Sequence, residues 1–100
     1  MIDLHRITGF DLDSGNARKN EKHVVSQAEA EQVFFNAPLV LLTDTGHSTI
    51  EPRFHALGAT DEGRRLHITF TLRFENTRVR VISAWDMHRK ERAVYEKAQQ

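Results

Sequence analysis

A chain of 100 residues has room for one domain, residues 1–100, with one modest core. Its 39% hydrophobic and 28% charged residues fit a folded soluble protein, and 14 basic residues balance 14 acidic ones, which argues against indiscriminate nucleic-acid binding. Cysteine is absent, excluding disulfides and thiolate chemistry. No apolar run has the length of a signal peptide or a membrane span, so the cytoplasm is the expected compartment and no membrane partner is expected.

Residues 1–12 hold a weak alternation that fits a short strand. Asp13 is a good N-cap, and residues 14–22 read as a short polar helix. Ser26-Gln27-Ala28-Glu29 is a capping box that opens a second helix, with Ala30, Val33 and Phe34 as its apolar stripe. Asn36-Ala37-Pro38 ends it. Leu39 to Leu42 is a continuous apolar run that reads as a buried strand, and residues 43–48 form a loop by composition. Arg53 to Leu57 reads as the next strand, closed by Gly58. Leu66, Ile68, Phe70, Leu72 and Phe74 alternate with polar residues, the mark of a half-buried antiparallel strand. After a short connection at Glu75-Asn76-Thr77, Arg78 to Ser83 forms another strand. Asp86 is placed to cap a terminal helix whose Met87, Val94, Tyr95 and Ala98 share a face. The expected fold is α+β: two N-terminal helices, an antiparallel sheet of about four strands, and a C-terminal helix.

Three groups of residues offer chemistry. Arg78, Arg80, Arg89, Lys90, Arg92 and Lys97 outnumber the acids near them and form a candidate surface for a phosphate chain. The same spacing also suits an ordinary solvated helix face. Glu51 and Arg53 stand two apart at a strand start, so they share a face, and His55 continues it. A carboxylate, a guanidinium and an imidazole in one row are the types needed to cleave a phosphodiester without a metal, although alternating charge is also routine on an edge strand. His23, after Lys22, suits either catalysis or the C-terminus of the first helix. Six histidines raise the question of a metal, but none are paired at helical ligand spacing; neither a metal nor another cofactor is expected. Trp85, the single tryptophan, is a hinge packer or a platform for a base.

Taken in order, these segments resemble the BrnT family, toxins of bacterial type II toxin–antitoxin pairs. Phe10 and Asp13 match its opening box. Lys22-His23 matches the end of its polar helix. Glu51, Arg53, Leu57 and Gly58 match a strand, and Arg80, Ile82, Ser83 and Ala84 match the next. Arg89, Glu91, Arg92 and Tyr95 match the last helix. The resemblance implies a RelE-like fold and an endoribonuclease that cleaves RNA. It also implies neutralisation by a cognate antitoxin with a ribbon-helix-helix domain, through which alone the toxin reaches operator DNA. It places Lys22, His23, Glu51, Arg53 and Arg80 as catalytic candidates. Arg78, Trp85, Arg89 and Arg92 are then the candidates for holding substrate. The chain departs from the family pattern at Leu12, where the family has Trp, at Val24, where it has Gly, and at Trp85, where it has Arg.

Overall fold

The computed structural model describes residues 4–11, 25–44 and 52–99. A 3-10 turn at Leu4–Arg6 precedes β1 (Gly9–Phe10), α1 (Gln27–Val33), β2 (Val40–Asp44), β3 (Arg53–Ala59), β4 (Arg65–Arg73), β5 (Arg78–Asp86) and α2 (Arg89–Gln99). The strands form one five-stranded sheet in the order β1-β5-β4-β3-β2. From β2 to β5 the sheet is an antiparallel meander. β1 adds parallel to β5 through Gly9↔Arg78 and Phe10↔Val79.

This architecture corrects the sequence expectation. The described residues hold two α-helices, one short and one C-terminal, and the sheet is mixed with five strands. The expected pair of N-terminal helices and antiparallel sheet of about four strands is overturned. With only two residues, β1 shows no alternation, and its partner lies far along the chain, so nothing local announces the pairing. The first expected helix, residues 14–22, lies outside the described residues.

α1 forms where its capping box predicts. Ser26 Oγ accepts from the Glu29 N–H, and Glu29 Oε1 accepts from the Ser26 N–H, both at 3.1 Å. Ala30 and Val33 are buried against the sheet, with Ala56, Leu66, Ile68, Phe70, Val79, Val81 and Ala84. Gly58 permits this approach: a Cβ there would stand 2.7 Å from Val33 Cγ1. Arg64 ties the same layer together, donating to Glu29 Oε2 at 3.0 Å and through Nε and a terminal nitrogen to Asp86 at 2.8 and 3.0 Å.

Four local expectations change. β2 is an edge strand rather than a buried one, and Leu42 is 45% exposed. β4 stops at Arg73, and Phe74 leaves the alternation for the turn, where Phe74, Glu75 and Asn76 have φ of 53°, 55° and 67°. Asp86 ends β5 and is held by Arg64 instead of capping α2. The Glu91 carboxylate accepts from the His88 N–H at 2.9 Å, just before α2 begins. On α2 Tyr95 is buried with Met87 against Leu57, while Val94 is exposed.

Pairing between β4 and β5 shifts between Thr69 and Phe70: Thr69 faces Ser83, but Phe70 faces Val81. Ile82 is the extra residue of this bulge. Bulges re-aim side chains. Val79, Val81 and Ala84 therefore share the α1 face, whereas Arg80, Ser83 and Trp85 share the other.

Candidate functional site

Cross-strand partners point to the same side of a sheet, so the register assembles the face opposite α1 row by row. One row runs Asp44, Arg53, Thr71, Arg80; the next Leu42, His55, Thr69, Ser83; the third Val40, Leu57, His67, Trp85. α2 covers one end of this face. Tyr95 packs on Leu57, Arg65 lies over the Tyr95 ring and donates to Glu96, and Glu91 reaches His67. The contacts of α2 fall at the Leu57–His67–Arg65 end. The row containing Arg53 and Arg80 lies at the other end.

Arg53 and Arg80 are thus brought together, with Thr71 between them and their Cα atoms about 10 Å apart across two strand spacings. Thr71 is buried, and its hydroxyl donates to the Pro52 carbonyl at 2.7 Å. Arg78 pairs with Arg73 one step nearer the hairpin, and its guanidinium lies 5.8 Å from the Phe74 ring centre. Trp85 is on the same face, but its ring lies against His67, with centroids 4.4 Å apart. Arg89 and Arg92 are exposed on α2, at the covered end. Lys22, His23 and Glu51 lie outside the described residues.

Sequence reasoning left the histidine cluster unassembled. His55 Nε2 is 3.0 Å from Asp44 Oδ2. His55 Nδ1 is 2.9 Å from His67 Nε2 and 3.0 Å from the Thr69 hydroxyl. His67 Nδ1 is 2.6 Å from Glu91 Oε2. The two imidazoles meet edge to face, with centroids 4.9 Å apart. Burial pushes the His67 pKa below the ordinary histidine value; the bond to Glu91 works against this, and the nearby His55 and His88 add to the lowering. Elsewhere, the backbone N–H of Ser26 holds the Glu29 carboxyl below its ordinary value, and the bond from Arg64 does the same for Asp86.

The matched span includes all three rows: a family model described as the ribonuclease toxin, BrnT, of type II toxin–antitoxin systems matches residues 12–91. The chain belongs to the BrnT toxin family. Among curated proteins, none matches it. A BrnT toxin is one half of a pair, so a cognate antitoxin is its partner, and the family is described as a ribonuclease toxin. In this BrnT chain the two arginines singled out from the sequence lie in one row, and the row beside it carries the histidine that continued their face. No described helix is long and apolar enough to cross a membrane.

Proposed function

We propose that this single-domain BrnT chain is a metal-independent, cytoplasmic endoribonuclease, neutralised by an antitoxin with a ribbon-helix-helix domain and reaching operator DNA only in that complex. The observation that supports it best is the row Asp44, Arg53, Thr71, Arg80, which lies away from the contacts of α2. Two arginines in one row, two strands apart, offer charge-assisted donors to the oxygens of an RNA backbone. One grips the scissile phosphate, and both stabilise the charge that builds on it as the ribose 2′-oxygen attacks. Lys22, His23 and Glu51 are the further catalytic candidates: the carboxylate and the imidazole can accept and donate protons, and the ammonium can stabilise negative charge. Arg78, Arg89 and Arg92 extend the grip on the backbone, and Trp85 is a candidate contact for a base.

Metal independence is supported by the absence of cysteine from the sequence. The test is cleavage of a fixed RNA by purified protein with and without EDTA. Cleavage that persists in EDTA is expected. Loss on chelation, with recovery on adding a divalent ion, would overturn the metal-free mechanism.

One observation favours a second reading, a catalytically weak toxin that acts chiefly by binding its antitoxin. Trp85 occupies the place where the family pattern has Arg, and its ring packs against His67. A neutral indole cannot balance charge on phosphorus. Expression without the antitoxin separates the two. Growth arrest relieved by the antitoxin supports the nuclease, and stable complex formation without arrest supports the second reading. Under the second reading Trp85→Arg speeds RNA cleavage; a folded variant that is no faster makes Trp85 a packing residue.

A further inference from the structure

Asp44, His55, His67 and Glu91 form a chain of three hydrogen bonds, a carboxylate at each end and two imidazoles between. Carboxylates only accept, and a neutral imidazole carries one N–H. Three bonds in line need three protons, and two neutral rings bring two. With both carboxylates ionised, the whole chain therefore forms only when one ring is an imidazolium.

Position decides which ring. The His67 side chain is 11% exposed and that of His55 22%. The deeper ring is the worse place for a charge, and burial lowers the His67 pKa despite Glu91. His67 then donates through Nδ1 to Glu91 and offers the Nε2 lone pair to His55. His55 carries both protons, donating through Nε2 to Asp44 and through Nδ1 to His67. When His55 loses one, a second partner stands ready: the Thr69 hydroxyl, 3.0 Å from the same Nδ1, donates to it instead. The ring keeps its place while its charge changes.

We propose that His55 is a titratable cation of the phosphate-gripping face, one row from Arg53 and Arg80, which makes affinity for a phosphodiester strand rise as pH falls. This rests on reading that face as the RNA-binding surface. Among the described residues, charged and titratable groups around it come from β2, β3, β5 and α2. Asp44 on β2 and, through His67, Glu91 on α2 hold the proton. Arg53 on β3 and Arg80 on β5, one row away, and His88 before α2, which acts on the hydrogen-bonded His67, oppose it. A phosphate bound between the arginines screens that opposition, so ligand and proton favour each other's binding, reciprocally.

The probe is a single-stranded 2′-deoxy oligonucleotide, which lacks the attacking hydroxyl and survives the assay. Its Kd is measured by fluorescence anisotropy from about pH 5.5 to 8.5 at fixed ionic strength. The expected result is binding roughly three- to tenfold tighter at the acid end, the scale of one partly screened charge. His55→Gln flattens the profile. A flat profile for the natural chain, no binding at any pH, or an undiminished slope in folded His55→Gln overturns the proposal. Nitrogen-15 spectra of the natural chain give a test without a variant. The His55 ring must titrate at higher pH with oligonucleotide bound, and an unmoved midpoint also overturns it. RNA cleavage is assayed separately. A His55-dependent binding slope without cleavage discards the nuclease reading and keeps the cation.

Discussion

Arg80 lies on the face opposite the α1 core, paired with Thr71, so truncating it opens no cavity. Arg80→Ala is expected to slow RNA cleavage by about a hundredfold or more, while stability changes by no more than about 1 kcal/mol. A large fall in Tm would make Arg80 structural instead. His67 gives a pH prediction. Its folded pKa is held below the ordinary value of 6.5 by burial. The unfolded chain therefore takes up the proton first, and the stability contributed by neutral His67 is complete above about 6.5 and lost as pH falls through the depressed value. Thermal unfolding in that window should show a smaller acid loss in His67→Gln than in the natural chain; equal losses would show that His67 protonation is not linked to folding. At this scale the sequence was half legible. Placing Arg53 and His55 on one face needed only the period of a strand. The contacts of His55 with Asp44 and His67, and of His67 with Glu91, depend on the registers of β2 on β3 and β3 on β4 and on where α2 lands. No spacing within one segment records these.

Elements whose signals are local came out as written: the capping box of α1, and the alternation of β4 up to Arg73. Elements set by distant partners did not. Ile82 carries no mark of a bulge, yet its insertion turns Ser83 and Trp85 to the side of Arg80. The hairpin took Phe74 because the chain needed a connection there, against the pattern that would bury its ring. Close packing between elements is testable at Gly58, where a methyl group would meet Val33 Cγ1 at 2.7 Å. Gly58→Ala should cost about 1–3 kcal/mol by overpacking. Denaturant unfolding checks this, and an unchanged midpoint would mean that α1 slides to make room. Arg64 binds Glu29 of α1 and Asp86 of β5 at once. Arg64→Met should destabilise by about 1 kcal/mol, an effect that shrinks with added salt because all three groups are partly exposed.

On the scale of the whole molecule, the ordered set of weak matches from Phe10 to Tyr95 was enough to place the chain in its family, although the sheet it folds into was drawn with too few strands. Family membership rests on many positions at once, whereas topology turned on a single two-residue strand. A molecule with no net charge but with Arg53, Arg73, Arg78 and Arg80 on one face should meet its antitoxin through that local charge. The association rate is expected to fall as salt rises; a salt-independent rate would rule out a charge-led encounter. The parallel pairing of β1 with β5 also has a consequence in time. β2 to β5 are sequential antiparallel neighbours, while joining Gly9 to Arg78 closes a loop of most of the chain for the return of a two-residue strand. Loop-closure entropy places that step last. Phe10→Ala should therefore quicken unfolding and leave the refolding rate nearly untouched in stopped-flow measurements. Slower refolding would mean that the two distant ends of this chain meet early, and that the smallest strand helps to start the sheet it borders.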